Sequence, residues 1–137
     1  MKRASVYFHQ QRRDEMFAVA PGANAGGLYF PFARLREVFA EYGVQLSTPD
    51  MNAGREVAFE MHFNARHRLR DVPSYAYLWE HPLIRPVNGN LRHLARYRRA
   101  FTWNEALVDG RHIHELPIPN DLTVRDVPGY AERDLFC

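Results

Sequence analysis

At 137 residues and 46% hydrophobic content, the chain has the length of one domain, enough to bury about two-thirds of its unfolded surface around one core, and disorder is not its default. A net charge of +2 excludes strong counterion-driven binding to nucleic acid, and the eighteen basic residues are all arginine except Lys2, which points to coding bias as much as to recognition. One cysteine, Cys137, excludes an internal disulfide and a cysteine-rich zinc site, and Met1 to Gln10 holds no sustained apolar run, so the expectation is a cytoplasmic protein, with peripheral contact to the inner membrane left open.

In chain order, Ala4 to His9 carries Val6, Tyr7 and Phe8 and reads as a first strand. A polar break, Gln10 to Glu15, leads to the short apolar piece Met16 to Ala20 and then to the glycine-rich loop Pro21 to Gly27. Pro31 suits the first turn of a helix, and Phe32, Leu35, Val38 and Phe39 recur at helical spacing through Tyr42, with Gly43 as the stop. Val44 to Ser47 is the second strand, so the strand, helix, strand order implies a right-handed parallel crossover. Val57 to Phe63 is the third strand, with Glu60 and His62 on one face. Ser74 to Trp79 and Arg99 to Trp103 are the fourth and fifth, separated by turns at residues 82–86 and 88–90 and by a short helix through Leu91, Leu94 and Tyr97. Asn104 caps a single turn through Val108, and Ile113 to Leu116 is the last strand. The pattern predicts one Rossmann-like α/β domain with a mostly parallel sheet of five to six strands and helices on both faces.

The fourth and fifth strands each end abruptly in polar residues, as buried strands do where function-bearing loops follow at their carboxyl ends. Leu78-Trp79-Glu80-His81-Pro82, followed after a gap by Phe101-Thr102-Trp103-Asn104-Glu105-Ala106-Leu107-Val108-Asp109, resembles the amino-terminal half of the family 10 glycosyltransferases, the α-1,3/1,4-fucosyltransferases and their bacterial relatives. The resemblance is clearest over about Ser74 to Leu122 and is topological before that. It implies half of a two-Rossmann, GT-B architecture: residues 1–124 as the acceptor-side domain, and 125–137 as the start of a linker towards a second domain that holds the donor, GDP-fucose. In the resembling family a glutamate at the end of a corresponding strand is the proposed base, and Glu80 is its match here. The family's donor-binding arginine, glutamate and lysine have no counterpart in this chain, so no cofactor is expected on it and activity alone is not expected.

In an inverting sugar transfer a carboxylate takes the proton of the acceptor hydroxyl as that oxygen attacks the anomeric carbon, and a positioned base typically contributes ~10²–10⁴-fold. The plain reading of Glu80 is a strand-end carboxylate paired to an amide or an arginine. Trp79, His81, Arg85 and Trp103 are the candidate acceptor-binding residues, by stacking on a sugar face and bonding its hydroxyls. Against that, Phe101 and Trp103 alternate with Thr102 as core residues of a strand do, and Asn104 suits a helix cap. The acid-free segment from His81 to Asn104 also holds Arg92, Arg96, Arg98 and Arg99, which read first as a solvated face paired with acids elsewhere, then as an acceptor platform or a nucleic-acid strip, the last opposed by the low net charge.

His112 and His114, and Glu60 and His62, each offer two metal-ligand types without a third and fourth ligand at recognisable spacing, so no metal is expected. The loop from Pro21 to Gly27 reads as a mobile flap or a plain connector, lacking the lysine of a phosphate-binding loop. Partners expected are a glycan acceptor and a second glycosyltransferase domain or another copy of the chain, which would cover an apolar domain face. The rival from another class is a stand-alone carbohydrate-binding or protein-interaction module without catalysis.

Overall fold

The structure, a computed structural model, describes residues 1–18 and 29–117. Six strands form a single sheet: β1 (Lys2–Tyr7), β2 (Val44–Ser47), β3 (Phe59–Phe63), β4 (Ser74–Leu78), β5 (Arg99–Thr102) and β6 (Ile113–Glu115). Their order is β2-β1-β3-β4-β5-β6, and every neighbouring pair runs parallel. The domain is therefore α/β and Rossmann-like. The strand order reverses between β1 and β3, which makes a crevice at their carboxyl ends the topological switch point.

The α1 helix (Phe30–Glu41) joins β1 to β2 and packs on the first face of the sheet, where Phe32 is 1% exposed and meets Ala4, Val6, Phe8 and Leu46. Burying a side chain of that size contributes roughly 1.5–3 kcal/mol. Pro31 sits in the first turn, and Gly43 stops the helix at φ +71°, a left-handed conformation that a residue with a Cβ adopts only under strain. Lys2 N–H then bonds Gly43 C=O, which sets the register of β1 on β2.

The loop after β1 is tied to the end of β2. Asp14 accepts from the Thr48 amide at 2.7 Å, Thr48 Oγ1 accepts from the Asp14 amide at 3.0 Å, and Asp50 accepts from the Arg13 amide. On the second face Ala76, Leu78, Ala100 and Ile113 pack under Leu94 and Tyr97, delivered by α2 (Leu91–Leu94). The connection from β3 to β4, residues 64–73, carries no helix.

The strands match the sequence pattern with small shifts. Trp79 and Trp103 were expected inside β4 and β5 but lie one residue beyond them, because pairing ends at Leu78 with Thr102 and the Trp79 amide turns back to Tyr77 C=O. The first face is incompletely covered among the described residues: Tyr75, Tyr77, Phe101, Leu116 and Pro117 line an apolar groove of about 720 Å³ beside α1. No described helix is long and apolar enough to cross a membrane. The glycine-rich loop, the proposed 124/125 boundary and Cys137 lie outside the described residues.

Candidate functional site

Glu80 follows the carboxyl end of β4, and two buried asparagines fix its backbone. Asn64, just past β3, takes the left-handed conformation at φ 73°, which asparagine tolerates better than most residues, and its Oδ1 accepts from the Glu80 amide at 2.8 Å. Asn88, fully buried in the turn after Pro86, donates through Nδ2 to Asn64 Oδ1 at 2.8 Å and to Glu80 C=O at 2.7 Å, while its own Oδ1 accepts from the Ala65 amide. Both peptide groups flanking this position are thus satisfied by buried side chains whose loss would leave orphaned donors and acceptors.

The Glu80 carboxylate is barely engaged. Its one ionic neighbour among the described residues is Arg85, at 3.9 Å, the outer limit of an ion pair, and its side chain keeps 27% of its exposure. His81 accepts from the Leu83 amide through Nδ1 at 3.1 Å, which leaves Nε2 as the proton-bearing nitrogen of the neutral ring. Trp103 donates from its indole N–H to Trp79 C=O at 2.8 Å and lies with its ring 6.1 Å from that of His81. Leu83 and Ile84, in the turn immediately after, are 88% and 74% exposed.

The fold therefore gathers Glu80, His81, Arg85 and Trp103 around the ends of β4 and β5. The ring of Trp79 goes elsewhere: it packs against Phe8, Phe63 and Tyr77 in the aromatic cluster of the first face. Asn104 caps the following turn, its Oδ1 accepting from the Ala106 amide. Of the remaining arginines in this segment, Arg96 bonds His67 C=O and Arg99 bonds Arg98 C=O, both on the protein's own backbone. Asn64 and Asn88 were not picked out from sequence; the signal available was an asparagine directly after a strand and another in a turn, neither of which identifies its partner.

A second polar cluster lies on the other side of the β1–β3 pair. Glu60, 1% exposed, accepts from Tyr7 Oη at 3.1 Å and from Arg70 Nη1 at 3.2 Å, and the stacked rings of Tyr7 and His62 lie 4.6 Å apart. His62 Nε2 comes within 3.3 Å of Glu60 Oε2, in ion-pair reach but off hydrogen-bond alignment. Burial pushes the Glu60 carboxyl up, yet the adjacent His62 ring, the bond from Tyr7 and the charge of Arg70 outweigh it and hold the group below its ordinary value. Tyr7 is pushed up, first by burial and then by Glu60.

The histidine pair does not converge: His112 bonds Leu94 C=O while the His114 ring packs beside Phe101. No group of three or more metal-ligating side chains occurs among the described residues. Comparison of the chain with protein-family models, with curated proteins and with solved structures gave no match.

Proposed function

We propose that this domain is the acceptor-binding half of an inverting glycosyltransferase similar to the family 10 fucosyltransferases, with Glu80 as the base that deprotonates an acceptor hydroxyl. The observation that carries the reading is a carboxylate on a clamped backbone at the carboxyl end of a parallel strand, with no strong partner of its own. A base has to be positioned and yet available, and a strand-end glutamate committed to structure would be bonded at its carboxylate instead. His81 Nε2, Arg85 and the exposed edge of Trp103 stand beside it as donors and an apolar wall for a sugar. GDP-fucose would be held by residues of another domain, and the exposed Leu83 and Ile84 suit a covered surface there.

Titration of the isotope-labelled chain with candidate glycans and, separately, with GDP-fucose tests this by NMR. Glycan-dependent shifts at Glu80, His81 and Trp103 are expected, with no saturable response to the nucleotide sugar. Saturable GDP-fucose binding without any glycan response would overturn the assignment.

A further inference from the structure

We infer that the cluster of Tyr7, Glu60 and His62 forms the floor of a second site that takes a small oxyanion, the phosphate or carboxylate group of a small molecule. The site is distinct from the surroundings of Glu80 and does not depend on the acceptor reading. It is a cavity of about 190 Å³ lined by Tyr7, Glu60, His62, Arg66, Arg68 and Arg70, together with Leu69. That is room for roughly six waters' share of liquid volume, which suits a group of a few heavy atoms.

Its place in the fold is the switch point. Tyr7 is the last residue of β1 and stands in register with His62 of β3, the two strands at which the order reverses. Ligands of open α/β sheets bind outside the carboxyl ends of the strands at this point, where Tyr7 and His62 lie, while Glu60 is set back along β3. No helix follows β3, so residues 66–70 supply the rim as an arginine-rich loop.

The charges are uneven. Three arginines and one glutamate line the cavity, and Arg70 alone is drawn into an ion pair with that carboxylate. Arg66 lies 4.5 Å over the Tyr7 ring, which holds the guanidinium in place without neutralising it. Arg68 makes no hydrogen bond or ion pair among the described residues.

The floor adds an independent sign. His62 is 2% exposed, and neither of its ring nitrogens has a hydrogen-bond partner among the described residues, Nε2 lying near the Glu60 carboxylate and Nδ1 near none. A buried ring nitrogen left so is costly; with Nε2 turned to the Glu60 carboxylate, the neutral ring offers Nδ1 as an acceptor, and a ligand-held water or a ligand hydroxyl donating to it would remove the cost. Planar guanidinium groups match oxyanions geometrically as well as in charge.

The test is an NMR titration of the intact chain with inorganic phosphate and, in a separate arm, with acetate, following the His62 ring and the arginine side chains. Saturable shifts at His62, Arg66 and Arg68 are expected from at least one probe, and the stronger arm identifies the source of the oxyanion. Arg68→Gln, an exposed position with no structural bond to lose, should weaken binding roughly ten- to a hundredfold, as loss of a charged hydrogen bond does. Arg111→Gln, a distant exposed arginine, should leave it unchanged. No saturable response to either probe would overturn the site. So would binding that survives Arg68→Gln or falls equally with Arg111→Gln, the mark of non-specific attraction to positive charge.

Discussion

Glu60 and Glu80 are carboxylates on adjacent strands' territory with opposite treatment. The first sits within β3, has almost no exposure, and has its carboxylate bonded by Tyr7 and Arg70. The second sits just past β4 with its backbone bonded on both sides and its carboxylate nearly unengaged. The difference shows two ways a polar network spends its hydrogen bonds: at Glu60 on the charge itself, and at Glu80 on the backbone beneath it, which leaves the carboxylate free.

The comparison breaks most readily at Glu60. Glu60→Ala should cost about 3 kcal/mol in urea denaturation, because it strips Tyr7, His62 and Arg70 of their shared partner at once. A loss under about 0.5 kcal/mol, the range of ordinary surface changes, would mean that the cluster is not structural. Asn88→Ala comes next, at about 2 kcal/mol, since it orphans the Ala65 amide and Glu80 C=O. Hydrogen exchange at Ala65 should accelerate, and glycan-dependent shifts at Glu80 should shrink even where the protein remains folded.

Titration sharpens the contrast further. Glu60 is held below its ordinary value, and Asp109, which accepts from the amides of Ile113, His112 and Arg111, is lowered to about 2. A depressed carboxyl stabilises the folded state above its unfolded pKa, so this contribution is present at neutral pH and is lost as pH falls below about 4 towards 2. Tyrosines act in the opposite direction: burial pushes Tyr77 up to about 12, and Tyr7 and Tyr97 also upward. Their stabilisation is full below the unfolded value of about 10 and is lost as pH rises from there through about 12. Denaturation midpoints across pH should show both limbs, and Glu60→Gln should flatten the acid one.

Glu80→Gln should be the mildest for stability, within about 0.5 kcal/mol, because the amide preserves shape and the ion pair lost is long and partly exposed. Under the proposed role, sugar transfer measured together with a donor-binding domain should instead fall by ~10²–10⁴-fold. A variant that unfolds as readily as Glu60→Ala would erase the distinction between the two carboxylates.

Much of the fold was legible in the chain. Alternation fixed β2 at Val44–Ser47 and placed Glu60 and His62 on one face, and Pro31 and Gly43 bracketed α1, since strand and helix periods and backbone-restricted residues act locally. The candidate site was legible by type and address: a glutamate after a strand, with His81, Arg85 and Trp103 nearby. What sequence could not supply was who meets whom across the sheet. The ring of Trp79 joins the aromatic cluster of the first face while Trp103 stays 37% exposed, a choice made by packing between strands and not by either residue's neighbours. Glu60 and His62, read as a possible metal pair, meet Tyr7 because β1 pairs in register with β3, and Arg70 because the loop after β3 folds back over them.

Sequence by itself determined the order of elements, their approximate bounds and the chemical types at each strand end, because these rest on periodicity and on what glycine, proline and asparagine permit. Tertiary structure alone decided that Asn64 and Asn88 hold Glu80, and that Arg66, Arg68 and Arg70 gather over His62. Such contacts depend on strand order and register, and a parallel sheet sets both through crossovers that join residues far apart in the chain.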